Sequence, residues 1–360
     1  MRRVLFWLVG IAAIVAACGA VLLRVPAVQD RLIERVAAVA LADTREALFD
    51  NEALRVLLCG SSSPLPHPTR AATCVAVFAG GRFWIVDTGP GSWNNLALWR
   101  IPGQRIGAVL YTHFHSDHIS ELGEFNMQTW VAGRSGPLRV FGPPGVGRVV
   151  AGFAEAYALD TGYRIAHHGA DFLPEDVSRM QARPIAIPPG PAQSVRVLEE
   201  DGVTITMFAV DHAPIAPAVG YRFDFGGRSV VVSGDTVADP GVLEAARGAD
   251  LLVHEALASH MIAVIGETAA SVGRSRIAKI TGDIPDYHTT PVEAAQLANE
   301  AGVGLLLFYH LVPPPPNRVA ESVFLRGVEE VRPEDSVLGD DGTLVELPVD
   351  SDEIIIDSID

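Results

Sequence analysis

Residues 112–119 read THFHSDHI and place His113, His115, Asp117 and His118 within six positions. Imidazole suits zinc and similar borderline metals, and a carboxylate adds a harder oxygen. In an extended segment side chains alternate, so His113 and His115 face the same way. Asp117 and His118, past a turn, address a second point close by. Such a cluster is half a site, and the rest must come from elsewhere in the chain. Three later candidates each end an apolar run: His212 closes TITMFAVDH, Asp235 lies in RSVVVSGDT, and His310 closes GLLLFYH. A single histidine at a strand end is ordinarily structural. Four runs ending in His or Asp read instead as seven ligands for two metal ions. One shared carboxylate then makes each ion four-coordinate before solvent.

The elements that must hold these groups follow from the pattern around them. LRVLLCG (54–60) reads as a buried strand, and TCVAVFAGGRFWIVDTGPG (73–91) as two strands joined at Gly80-Gly81 with a Gly-rich turn after Asp87. RIGAVLYT (105–112) is a fourth strand running straight into the histidine cluster. Residues 128–191 read as an insertion, with strand-like LRVFG followed by a helical stretch over 146–163 and a Pro-rich end. Further strands follow in VTITMFAVDH, VGYRFDF, RSVVVSGDT, DLLVHEA and VGLLLFYH, separated by helices over 240–249 and 289–302. Thr290-Pro291 marks the start of the second helix and Gly302 its stop. Two β-rich halves, each covered by helices, predict an α/β fold: a four-layer αββα sandwich with its sites at strand ends.

Both termini depart from the average composition. Residues 4–23 form twenty positions without a charge after Arg2 and Arg3. At about 1.5 Å per residue this run matches a hydrocarbon core of about 30 Å. Residues 1–24 are therefore expected to be a hydrophobic N-terminal helix acting as an uncleaved membrane anchor. The two arginines would keep the start of the chain in the cytoplasm and place the rest on the periplasmic side of a bacterial-type inner membrane. A cleaved signal segment with secretion is the alternative. A lipid-modified Cys18 fits less well, because apolar GAVLL follows it. Residues 25–50 read as a helical linker, 51–348 as the catalytic domain, and 349–360 as an acidic solvated tail. The chain has a net charge of -16, and residues 331–360 contribute -9 through ten acids against Arg332. Cys59 and Cys74 flank a hairpin and could pair in an oxidising compartment, but two separate buried thiols are the default expectation.

HFHSDH, the GDT turn and the terminal histidine strand resemble the metallo-β-lactamase superfamily. DHAPIAPAVGYRF (211–223), LLVHEA (251–256) and YHTT (287–290) resemble its ribonuclease Z and zinc arylsulfatase branch. The resemblance implies that His113, His115 and His212 bind one Zn2+ and Asp117, His118 and His310 a second, with Asp235 between them. Other divalent metals such as Mn2+ or Fe2+ are compatible with the same ligands. It further implies that His288 donates a proton, that Glu255 orients it with His254 nearby, and that Asp87 supports the metal ligands. Asp117 would also orient the nucleophile, a hydroxide shared by the two ions.

Three features separate the chain from tRNA processing. The apolar N-terminus argues for a site outside the cytoplasm, the opening turn is CGSSSP (59–64), and no basic Gly/Pro-rich arm is apparent. The first expectation is accordingly a dinuclear zinc hydrolase of sulfate esters or phosphodiesters, taking a small-molecule ester. Trp130, Phe153, Tyr157 and Tyr163 are candidates to wall an apolar pocket for it. Alternatives are a ribonuclease Z-type tRNA 3′-processing endonuclease, a lactonase or thioesterase on the same fold, and a non-catalytic metal-binding membrane protein. The membrane is an expected partner, nucleic acid is disfavoured without being excluded, and a homodimer is compatible. His67, His167, His168 and His260 remain unassigned.

Overall fold

The computed structural model describes residues 22–42, 45–190 and 193–359. The chain divides into two compact units, Met1–Arg45 and Glu46–Asp360. In the first, the helix Pro26–Ala42 leaves Leu32, Ile33, Val36, Val39 and Leu41 exposed. The expected membrane helix falls mainly on residues 1–21, which lie outside the described residues. Among the described residues no helix is long and apolar enough to cross a membrane.

The second unit is built from two sheets. The first comprises β1 (Ala53–Gly60), β2 (Cys74–Ala79), β3 (Arg82–Val86), β4 (Ile106–Leu110), β5 (Leu138–Gly142) and β6 (Met180–Pro184). The second comprises β7 (Ser194–Glu200), β8 (Val203–Val210), β9 (Ala218–Phe225), β10 (Arg228–Val232), β11 (Leu251–Leu257), β12 (Leu305–Val312) and β13 (Ser336–Leu338). The strands β14 (Thr343–Pro348) and β15 (Ile355–Ser358) return to the first sheet, giving the order β15-β14-β1-β2-β3-β4-β5-β6. The second sheet runs β13-β12-β11-β10-β9-β8-β7.

Each sheet is antiparallel on one side and parallel on the other: β3, β4, β5 and β6 pair in parallel, as do β10, β11, β12 and β13. Parallel strands need covering on both faces, so they read as unbroken apolar runs. Leu54, Val56, Val77, Trp84, Leu110, Val230, Val253 and Leu307 pack between the sheets. Helices Ser92–Leu98, Leu122–Val131 and Val146–Ala156 cover the first sheet, and Pro240–Ala246, Pro291–Ala301 and Arg318–Phe324 cover the second. This is the expected four-layer α/β sandwich.

Four local expectations differ. The stretch over 128–191 is not a detachable insertion, because β5 and β6 inside it extend the first sheet. The helical run over 146–163 divides into Val146–Ala156 and Ala158–His168. The acidic tail is not merely solvated: Ile355–Ser358 pairs with β14 as an edge strand, and its one acid, Asp357, is exposed there, a charge that discourages further pairing. Cys59 and Cys74 form a disulfide, with Cα atoms 5.0 Å apart across β1 and β2. Adjacent antiparallel strands bring two buried thiols into bonding range, which spacing alone does not reveal.

That bridge closes a loop with a sequence separation of 15, and loops of that size lose about 3 kcal/mol of unfolded-state entropy when crosslinked. The Cys59→Ala/Cys74→Ala variant should therefore unfold at a lower urea midpoint by about that free energy. A wild-type midpoint unchanged by reductant would refute the bridge.

Candidate metal centre and active site

All seven expected ligands converge where strand ends of the two sheets meet. β4 leads into His113 and His115, and the short helix Ser116–Ile119 presents Asp117 and His118. His212 follows β8, Asp235 follows β10, and His310 lies within β12. Ligand atoms of His113, His115, His212 and Asp235 all lie within 4.8 Å of one another, as do those of Asp117, His118 and His310. Asp235 sits between the groups: its Oδ2 is 3.2 Å from His310 Nε2, 3.3 Å from His118 Nε2, 3.8 Å from His113 Nε2 and 3.9 Å from His212 Nε2.

The donor set fits divalent cations. The Nε2 atoms of His113, His118 and His212, with Asp235 Oδ1, are buried and have no hydrogen-bond partner. Buried polar atoms are almost always paired, so four orphans aimed at one space call for a positive ligand. Burial holds His113, His115 and His212 below the ordinary imidazole range, and hence neutral and able to coordinate. Burial opposes charge on Asp235 too, but the His310 and His118 imidazoles outweigh it and hold the carboxyl well below its usual range. For His118 burial again opposes charge, yet Asp235, Asp117 and Asp87 together hold it well above.

A ring of hydrogen bonds fixes the ligands. Asp87 Oδ2 lies 2.8 Å from His118 Nδ1, and the same carboxylate accepts from the Thr112 backbone N–H at 2.9 Å and its hydroxyl at 2.7 Å. His212 Nδ1 lies 2.8 Å from the carbonyl of Tyr287, which directs Nε2 toward Asp235. Asp87 and His310 both take left-handed backbone angles, φ 62° and 43°, uncommon away from glycine and typical of held functional positions. In the turn after Asp87, a Cβ on Gly89 would lie 2.4 Å from the Asp117 carbonyl, so only glycine lets that turn pass beneath the metal-binding helix. Thr112 and Tyr287 were missed in the sequence; their one signal was adjacency to His113 and His288.

His288 joins the same centre. One further group of mutually close ligand atoms is Asp235, His288 and His310, and the His288 ring stacks on His310 at 5.5 Å. Its Nδ1 is 2.9 Å from Glu255 Oε1, which also accepts from the N–H groups of Thr236 and Thr289. Burial works against the imidazolium, but Glu255 outweighs it and pushes His288 up to about 9. His254 is not brought to the centre. Its Nδ1 bonds the Glu255 carbonyl, and its strand neighbour Leu252 packs with the helical layer while Val253 packs between the sheets. Alternation along β11 turns His254 away from the face that carries Glu255.

Of the expected aromatic wall, Trp130 is core, 2% exposed, and Tyr163 is exposed. Tyr157 alone of the four lines a cavity of about 600 Å3, with Ile165 and Met180. A smaller cavity of about 250 Å3 opens beside Asp117 and is lined by Ser62, Ser63, His67 and Arg70, which gives the unassigned His67 a place near the centre. His167 and His168 end a helix far less buried, and His260 bonds the Val323 carbonyl.

Because Asp87 orients His118 without reaching the ligand cluster, Asp87→Asn should weaken metal retention roughly 10- to 100-fold against a competing chelator while leaving the fold intact. Unchanged metal affinity would remove that role from Asp87.

Residues 82–311 match the family described as the beta-lactamase superfamily domain. A ribonuclease Z from Mycobacterium bovis (strain BCG / Pasteur 1173P2) is 39% identical over 266 residues, covering 72% of this chain and 86% of that protein. A ribonuclease Z from Mycobacterium marinum is 38% identical over 263 residues, 72% of this chain and 87% of that protein. Among solved structures, the short form of human tRNase Z superposes with a TM-score of 0.59 at 18% identity, over 82% of this chain and 100% of that one. The metallo-β-lactamase fold protein YhfI from Bacillus subtilis gives 0.57 at 19%, over 82% and 99%. The structural likenesses establish the fold, and the sequence relatives narrow it. The chain belongs to the β-lactamase superfamily and, within it, to the ribonuclease Z family of metal-dependent hydrolases acting on ester bonds.

Proposed function

We propose that this chain hydrolyses phosphodiester bonds in the manner of ribonuclease Z, cutting RNA at the 3′ side of tRNA precursors. The observation that carries the reading is the His288–Glu255 pair at the edge of the seven-ligand cluster, in a chain 39% identical to a ribonuclease Z. This reverses the order expected from the sequence, in which small sulfate or phosphate esters came first.

His113, His115 and His212 would hold one divalent cation, and Asp117, His118 and His310 the other, with Asp235 shared. Zn2+ suits this mixture of imidazole and carboxylate, and Mn2+ or Fe2+ could substitute. When bound, two such cations supply Lewis acidity, activating water and offsetting charge on the phosphate oxygens. The chain's own groups do the rest. Glu255 holds His288 Nδ1, which leaves Nε2 free to protonate the leaving oxygen. The Thr236 and Thr289 N–H groups pin Glu255, so it orients His288 without moving. Asp117, 6% exposed and within 3.3 Å of His310 Nε2, orients the nucleophile. Burial of these groups keeps bulk water away, where fixed charges act most strongly.

The Cys59–Cys74 bridge and the uncharged run over residues 4–23 favour a second reading. Disulfides persist in oxidising compartments. A periplasmic domain would meet small phosphodiesters, and membrane anchorage through residues 1–24 belongs to this reading.

His288→Ala should keep its full complement of bound metal and lose roughly 10²- to 10⁴-fold in kcat; a fully active, metal-replete variant would take the proton-donor role away. Cleavage of a precursor tRNA at rates far above those on a bis-aryl phosphate supports the first reading. Turnover of the small diester with the precursor left intact supports the second.

A further inference from the structure

The helices Ser259–Ser271 and Ser275–Asp283 form a hairpin between β11 and His288. They pack closely on one another: a Cβ on Gly266 would lie 2.6 Å from the Thr281 hydroxyl oxygen. Away from that seam the hairpin is open to solvent. Val264, Val272 and Ile280 are each more than half exposed, and Ile265 and Ile277 are exposed as well. The second helix buries none of its residues.

Its charge is as unusual as its exposed aliphatic surface. The hairpin carries Arg274, Arg276 and Lys279 against Glu267 and Asp283, a net positive balance in a chain whose net charge is -16. Lys279 is the chain's sole lysine. It pairs with Asp283, whereas Arg274 and Arg276 are exposed and have no ion-pair partner among the described residues. On the helix, Ile277 and Ile280 are three apart, as are Arg276 and Lys279, so each pair shares a side. Aliphatic side chains flanked by cations match the boundary between lipid headgroups and acyl chains. A nucleic-acid backbone matches the cations alone, and the hairpin surface offers no exposed aromatic ring for a base to stack on.

We propose that this hairpin docks on an anionic phospholipid surface, with Val264, Val272, Ile277 and Ile280 at the headgroup boundary, Arg274 and Arg276 facing lipid phosphates, and Lys279 beside them. Charge complementarity carries the choice of occupant. The apolar run over residues 4–23 adds to it, since a tethered chain meets the bilayer at high effective concentration and needs only a weak second contact. The inference is independent of which phosphodiester the site cleaves.

The test uses the full chain with Cys18→Ser and an environment-sensitive fluorophore on Val272→Cys. The labelled protein is reconstituted in vesicles of phosphatidylcholine alone, or of phosphatidylcholine mixed with phosphatidylglycerol. A blue-shifted label protected from an aqueous quencher only on the anionic vesicles is the expected result. Arg274→Glu/Arg276→Glu/Lys279→Glu should abolish it, each cation contributing roughly fivefold to association, and high salt should weaken it. Ile277→Ser/Ile280→Ser should lessen the shift at low salt. Hydrolysis of a soluble diester by these variants should match wild type, showing that they fold. Equal quenching on both vesicle types overturns the proposal. So does protection that follows protein concentration, which marks a second copy, or protection that appears with RNA in the absence of anionic lipid.

Discussion

The structure depends on a crowded electrostatic arrangement around Asp235. A carboxylate 2% exposed faces four imidazole Nε2 atoms at 3.2 to 3.9 Å, most of them without a hydrogen-bond partner. Leaving polar atoms buried and unpaired costs about 1–3 kcal/mol each, so the cluster is a standing penalty that coordinated cations would relieve. The residues around it ensure that relief comes from cations at fixed positions rather than from collapse. Thr112, Asp87 and the Tyr287 carbonyl take the Nδ1 atoms of His113, His118 and His212, which leaves those three Nε2 atoms turned inward.

The two sheets act as a clamp for this arrangement. Ligands come from β4, β8, β10 and β12 or the turns after them, so neither sheet holds a complete set. The apolar layer between the sheets therefore fixes ligand spacing as well as stability. Two positions with left-handed backbone, Asp87 in the turn after β3 and His310 at a register irregularity of β12 against β11, each deliver a side chain to the centre, and the packing around them sustains that strain.

Belonging to a family of RNA-processing hydrolases and carrying a buried disulfide pull in different directions. The centre itself is indifferent, since a phosphodiester presents the same reacting atoms whether it joins nucleotides or small alcohols. What surrounds the centre is not the same everywhere: a cavity beside Asp117 is lined by Ser63, His67 and Arg70. The likeness to ribonuclease Z speaks for the chemistry, and these surroundings speak for the context in which it runs.

The ligands were legible in the sequence because four short apolar runs each lead to a histidine or aspartate, and their joint occurrence, not any one of them, pointed to a shared site. The helix 291–301 was legible from its Thr-Pro start and Gly stop, and the capping box at Thr290 and Glu293 realises that signal. Other features rested on long-range pairing with little local signature. The Cys59–Cys74 bridge depends on the register of β1 against β2. The edge strand at Ile355–Ser358 depends on β14 being there to receive it. His254 and Glu255 were read together as neighbours, yet strand alternation sends one to the helical layer and the other to the metal centre. Side-chain type and spacing thus determined which residues could do chemistry. Only the tertiary structure decided which of them share a face, because a face is set by partners distant in sequence.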